Sequence, residues 1–201
     1  MTKVTPSQVR ELRDRTGAGM MDCKRALEEA EGQMGRAVDI LRERGQAQAA
    51  KKAGRTASEG VVASYIHPGG RVGVLVEVNC ETDFVSATAD FQDLCRNIAM
   101  HIAASRPRWV RREDVPPAIV EHERDVLRKE AESAGKPAAV VERMVEGRLR
   151  RFFSEQCLLE QPYVRDPDHT VGDVVQELVA RLGENIVVRR FQRYERGEEL
   201  E

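Results

Sequence analysis

The sequence predicts an α+β fold: a three-helix bundle at the N-terminus, then a core with a small antiparallel three-stranded sheet packed against helices. Three observations carry this. Apolar residues recur at helical spacing through residues 1–45. Residues 61–66 and 72–79 read as two strands around a Pro-Gly loop. A third strand-like run, NIVVRRFQRY at 185–194, follows only after a long helical stretch. Two strands, a helical insert and one strand make a small sheet covered by helices.

The first helix starts at Thr5-Pro6, with Thr as N-cap and Pro at the first helical position. Val9 and Leu12 form its apolar stripe, and Thr16-Gly17-Ala18-Gly19 breaks it. A second helix spans Met20 to Ala30 with Cys23, Ala26, Leu27 and Ala30 inward. A third carries Met34, Ala37, Val38 and Leu41 and is expected to stop at Gly45. Met20 and Met21 sit together at the first corner, and both cannot face so thin an interior. At least one is expected at the surface, as an adaptable contact residue. Residues 46–59 lack large apolar side chains and read as a linker, in part helical, with 60–201 as the core domain.

His67-Pro68-Gly69-Gly70-Arg71 forms the hairpin loop, with His67 at its tip. A lone loop histidine is more often solvated than functional. At 117–155 two antiparallel helices make a projecting hairpin, joined by Gly135-Lys136-Pro137. Val120, Glu123, Val126, Leu127 and Glu130 lie along one side of the first. Val140, Val141, Met144, Val145, Leu149, Phe152 and Phe153 mark the second. Leu158 to Val164 reads as an extended connection. Thr170 opens the last helix, with Val171, Val174, Val175, Leu178 and Leu182 as its stripe and Gly183 as its end.

One junction stands out. Val74, Val76 and Val78 alternate as a strand; Phe91, Leu94, Cys95, Ile98 and Ile102 recur as a helix. Between them lies Glu81-Thr82-Asp83-Phe84-Val85, a corner on rigid flanks. Phe84 beside two carboxylates is either an apolar wedge or a packing residue. Taken alone, the stretch favours packing, because most aromatics pack.

Composition excludes several classes. Lys+Arg 32 against Asp+Glu 34 gives a net charge of -2, which does not suit bulk phosphate binding. Aromatics at 4% are too few for a base-stacking platform. No apolar run reaches membrane-spanning length, and MTKVTPSQVR lacks a signal-peptide core, so a cytoplasmic location is expected. Cys23, Cys80, Cys95 and Cys157 form no CxxC pair, so reduced, mostly buried thiols are expected and no zinc site. The four histidines offer no metal-ligand spacing, and no P-loop is present, so neither a cofactor nor a nucleotide is expected on this chain. A Cys80–His67 dyad lacks an orienting third group. Arg148, Arg150 and Arg151 could suggest RNA, but Glu142, Glu146 and Glu155 interleave with them, which favours a salt-bridged surface. An adaptor that binds peptides through Met20 is a further alternative.

Two stretches carry a resemblance. LRDRTGAGMMDCKRAL at 12–27 and EVNCETDFV at 77–85 resemble the two signatures of the bacterial elongation factor Ts family, at matching separation. Lys51-Lys52-Ala53, Ser64-Tyr65-Ile66-His67, Glu146-Gly147-Arg148, Gln161-Pro162-Tyr163-Val164 and Gly183-Glu184-Asn185-Ile186 are similar as well. The resemblance implies a UBA-like bundle at 1–45 and a nucleotide exchange factor for elongation factor Tu, not an enzyme. It implies that Thr82, Asp83, Phe84 and Val85 enter the partner's nucleotide domain and dislodge Mg²⁺. It further implies that Arg13, Met20 and Met21 touch that domain, and that His67 touches another. Ser86-Ala87-Thr88 departs from the family pattern, in which Ala-Arg-Asn or similar often follows Phe-Val. Only one core copy is present, as in compact members expected to pair as homodimers. Gln192 stands where some of those have cysteine, which makes any pairing there non-covalent.

Overall fold

The computed structural model describes residues 4–134 and 137–199. Gly135 and Lys136 of the expected hairpin turn lie outside the described residues. The chain forms two compact units. One comprises Met1–Val62, Glu77–Cys95 and Asp173–Val188; the other comprises Ala63–Val76, Arg96–Gly172 and Arg189–Glu201. A three-stranded antiparallel sheet has the order β1-β2-β5, with β1 at Glu59–Ile66, β2 at Val72–Cys80 and β5 at Val187–Glu195.

In the first unit, helices α1 (Pro6–Thr16), α2 (Met20–Glu29) and α3 (Met34–Lys52) form the N-terminal bundle. Thr5 caps α1 in a capping box with Gln8: the Thr5 hydroxyl accepts from the Gln8 N–H at 3.3 Å, and Gln8 Oε1 accepts from the Thr5 N–H at 2.9 Å. Val9, Leu12, Cys23, Ala26, Leu27, Ala30 and Ala37 are buried together. The expected stop at Gly45 is overturned, because α3 continues to Lys52. A glycine inside a helix costs about 1 kcal/mol relative to alanine. The strong helix formers Ala47, Ala49 and Ala50 offset this, and Ala49 is buried. The glycine also has a packing reason: a Cβ at position 45 would stand 3.3 Å from the Ala180 Cβ. Residues 46–52 are therefore helix, the last turns of α3.

In the second unit, the loop between β1 and β2 is closed by the His67 N–H donating to the Val72 carbonyl at 2.9 Å. Helix α6 (Pro117–Ser133) packs on α7 (Ala138–Gln156) through Ala131, Val141, Val145 and Leu149, with Val120, Leu127, Met144 and Phe153 around them. Two members of the expected stripes, Val126 and Val140, are instead exposed. The packing seam of two long antiparallel helices is narrow, so flanking apolar positions stay in solvent. Arg124–Glu146, Arg128–Glu142, Arg148–Glu130 and Arg151–Glu155 pair on the surface of this hairpin. The Arg148–Arg151 run is thus a salt-bridged face.

The expected extended connection after α7 is a 3₁₀ turn at Leu158–Glu160 followed by a two-stranded antiparallel ribbon, β3 (Pro162–Tyr163) with β4 (Asp166–Thr170). The ribbon escapes periodicity analysis because DPDHT has little β-propensity. Gln161 fixes this region. Its Nε2 donates to the Glu155 carbonyl at 2.6 Å, and its Oε1 accepts from His101 Nε2 at 2.9 Å. His101 Nδ1 accepts from the Val164 N–H at 3.2 Å. The ring is fully buried, and burial pushes the His101 pKa below its ordinary value.

The sign of the resulting pH effect follows from linkage. Above the ordinary histidine pKa of about 6.5, both folded and unfolded states hold neutral imidazole. Below it the unfolded chain takes up a proton that folded His101 refuses, so stability falls with falling pH. Denaturant melts between pH 7.5 and 5 are expected to show this loss, and His101→Gln is expected to flatten the slope even though it lowers stability at pH 7.5. An unchanged slope in the variant would remove His101 as its source.

Candidate functional site

The corner at the end of β2 lies within the first unit and is built by hydrogen bonds before any apolar packing. Helix α4 spans Asp83–Ser86, and α5 follows at Ala89–Ser105. Thr82 is the N-cap of α4; its Oγ1 accepts from the Val85 N–H at 3.4 Å. The same hydroxyl donates to Glu184 Oε1 at 2.7 Å, and the Thr82 N–H donates to Glu184 Oε2 at 3.0 Å. One carboxylate thus holds both polar groups of Thr82. The reverse bond is also made: the Asn185 N–H donates to Glu81 Oε1 at 2.7 Å. Asn185 Nδ2 donates to the Arg55 carbonyl at 2.8 Å, which ties in the segment after α3. On the far side of the turn, Gln92 Nε2 donates to the Ser86 carbonyl at 2.7 Å and Thr88 Oγ1 to the Val85 carbonyl at 2.7 Å.

On this pinned turn Phe84 is 83% exposed. The packing reading of Phe84, favoured by the stretch alone, is overturned. The four-residue helix capped at Thr82 buries none of its residues, and the core positions on either side are taken by Cys80 and Phe91, both fully buried. Asp83 beside it is exposed, and no hydrogen bond or ion pair to its carboxylate forms among the described residues. Val85 is half-buried. The acids do not share one role. Glu81 is structural, bonded to Asn185 and 3.6 Å from Arg55, whereas the Asp83 side chain is exposed.

Ser86, Ala87 and Thr88, the departure from the family pattern, serve the local frame. The Ser86 hydroxyl donates to the Asp83 carbonyl at 2.8 Å, and the Phe91 N–H donates to Thr88 Oγ1 at 3.3 Å. They offer no cationic side chain beside Phe84.

The second group of candidate residues sits at the corner between α1 and α2. Gly17 caps α1 with φ 67°, a left-handed conformation that disfavours any Cβ. Met20 and Met21 are 43% and 60% exposed, and Arg13 is exposed one turn before the cap. Arg181 of helix α8 (Val171–Leu182) lies over this corner: a Cβ on Gly17 would stand 2.8 Å from the Arg181 Cδ. The Arg181 guanidinium reaches Asp90 at the start of α5 at 3.2 Å. The C-terminal end of α8 thus contacts both candidate corners, through Arg181 and Glu184. Periodicity singles out neither residue. The cue in sequence is Gly183, whose left-handed φ of 82° ends α8 and turns Glu184 back toward β2.

His67 lies in the second unit, exposed at the hairpin tip, 3.1 Å from the Tyr65 hydroxyl through Nδ1. Cys80 is a poor nucleophile. Its thiol is fully buried, donates to the Thr82 carbonyl at 3.1 Å, and has a pKa raised by burial. Among the described residues no group of His, Cys, Asp or Glu could hold a metal ion, and no helix is long and apolar enough to cross a membrane.

The profile of the family described as Elongation factor TS matches residues 5–198. Elongation factor Ts of Carboxydothermus hydrogenoformans is 62% identical over 197 residues, covering 98% of this chain and 91% of that protein. Elongation factor Ts of Caldanaerobacter subterraneus subsp. tengcongensis is 59% identical over 198 residues, covering 98% and 99%. That of Moorella thermoacetica is 58% identical over 195 residues, covering 97% and 96%. The matches run over nearly the full length, so this chain belongs to the elongation factor Ts family of translation elongation factors, nucleotide exchange factors without catalytic chemistry of their own.

Proposed function

We propose that this protein binds elongation factor Tu carrying GDP, promotes GDP release by disturbing the Mg²⁺ and phosphate site, and stabilises the nucleotide-free state until GTP binds. The observation that carries the reading is Phe84, 83% exposed on a turn fixed from both sides. A large apolar side chain held rigidly in solvent is poised for a contact outside its own chain. Mg²⁺ in such a partner bridges diphosphate to protein and neutralises charge. An inserted ring that shifts its surroundings, with the exposed Asp83 carboxylate competing for nearby hydrogen bonds, weakens that arrangement. Factor and nucleotide then disfavour each other by one reciprocal coupling free energy. The factor speeds release without choosing which nucleotide rebinds.

In this reading Thr82 and Val85 frame the wedge. Arg13, Met20 and Met21 dock on the partner's nucleotide domain, with the flexible thioethers adapting to its surface. His67 contacts another partner domain. The protein works in the cytoplasm, binds no nucleic acid or nucleotide itself, and pairs as a homodimer. Support for pairing comes from the second unit, where Ile66, Leu75 and Tyr194 are exposed on strands of a small sheet that has edges to cover.

Release of labelled GDP from elongation factor Tu tests the wedge. Phe84→Ala and Asp83→Ala are each expected to slow stimulated release about tenfold or more, with a smaller loss of affinity for the nucleotide-free partner. Because Phe84 is exposed, its truncation is expected to change folding stability by under about 1 kcal/mol, not the roughly 3–5 kcal/mol of a core phenylalanine. The advantage of the native corner is expected to shrink when Mg²⁺ is chelated. Normal stimulation by a stable Phe84→Ala protein would rule the wedge out. Pairing has its own check: sedimentation at micromolar concentration is expected to give twice the 22.6 kDa chain mass, and a single species at 22.6 kDa would refute the dimer.

A further inference from the structure

The structure assigns Glu184 as the positioning residue of the exchange corner: it acts through Thr82 to aim Phe84. The inference rests on the reading of Phe84 as the group that disturbs the partner's nucleotide site. Glu184 lies 102 residues from Thr82 in sequence, yet its two carboxylate oxygens take the Thr82 hydroxyl at 2.7 Å and the Thr82 N–H at 3.0 Å. Such a two-point, charge-assisted hold fixes orientation as well as distance. Its consequence runs along the backbone. With its proton committed to Glu184, the Thr82 hydroxyl turns a lone pair toward the Val85 N–H and caps α4. Phe84 is the second residue of that helix, and most of its ring is in solvent rather than in the core. Its direction is therefore set by the cap, and the cap by Glu184.

A second pair supports the design. Glu81 accepts the Asn185 N–H at 2.7 Å, so the residues before the capped turn and after the α8 terminus exchange carboxylate bonds. Glu81 and Asn185 keep the two segments adjacent when Glu184 is altered. Loss of Glu184 should thus loosen the turn without separating β2 from α8. Glu184 is half-buried and does not itself present a free carboxylate to a partner.

The test is made on the full chain with two readouts. The first is amide hydrogen exchange of the free protein, with Glu184→Ala and the milder Glu184→Gln. The Thr82 and Val85 amides are expected to lose protection, while amides in the middle of β2 keep theirs. Native protection at Thr82 and Val85 in both variants would overturn the inference whatever the activity. The second readout is labelled GDP release from elongation factor Tu, fitted for maximal rate and half-saturating factor concentration. Glu184→Ala is expected to lower the maximal rate about tenfold, the scale for a lost charged hydrogen bond, and to move half-saturation less. Thr82→Val is expected to behave alike, and Thr82→Ser to restore the rate by restoring the hydroxyl.

The deciding comparison uses a Phe84→Ala background. If Glu184 acts through Phe84, adding Glu184→Ala there costs little further. An equal loss in both backgrounds would show that Glu184 acts otherwise, and overturn the inference. A Phe84→Ala protein of normal activity would instead defeat the wedge reading. A slow Phe84→Ala beside a normal Glu184→Ala would defeat only the positioning role.

Discussion

The candidate site depends on one carboxylate. Glu184 has to sit where both the N–H and the hydroxyl of Thr82 converge, which requires α8 to end at Gly183 in a left-handed turn. Hydrogen bonds to a charged group contribute about 1.5–3 kcal/mol each, and leaving such a group buried without its partner costs more. That energy is spent on orientation rather than on burying Phe84. A ring in solvent contributes nothing to the core, so the fold must hold it by other means. It does so with a capped turn, a carboxylate clamp on one side, and Gln92 and Thr88 on the other.

This arrangement suits exchange. A side chain that inserts into another protein loses less entropy on binding when it is already aimed. A rigid wedge also transmits its displacement, whereas a mobile one yields. The methionine corner is built on the opposite principle. Met20 and Met21 are exposed on a regular helix and can adjust their rotamers to a surface, which is suited to affinity rather than to displacement. Arg181 fills the space a Cβ at Gly17 would need and pairs with Asp90, so the segment Arg181–Asn185 relates both corners within one compact unit. Its pairing with Asp90 is exposed and weak, while its stem against Gly17 is a packing contact.

Much of the architecture is legible from periodicity. The Thr5-Pro6 start, the Gly17 corner, the β1–β2 hairpin and the α6–α7 pair all follow from local rules, because caps, turns and amphipathic stripes are short-range. The exceptions share a cause. Gly45 reads as a helix end, yet its lack of a side chain serves contact with Ala180, a long-range fact invisible to a local rule. The β3–β4 ribbon is carried by Gln161 and His101 rather than by β-propensity. Phe84 reads as a core residue because aromatics usually are. Its exposure reflects a cap clamped from 102 residues away. The residues of the signature are visible in sequence; Glu184 lies in a family-like stretch too, but no local rule ties it to Thr82.

In the proposed mechanism the Phe84 ring enters the nucleotide domain of elongation factor Tu beside the Mg²⁺ and diphosphate. The most direct measurement places a photoreactive benzophenone side chain at position 84 and maps its cross-links in the nucleotide-free complex. The account predicts cross-links confined to segments of the nucleotide domain that line the Mg²⁺ and phosphate site, lost when excess GDP dissociates the complex. Cross-links to another domain, or a stable complex without cross-links from position 84, would contradict it.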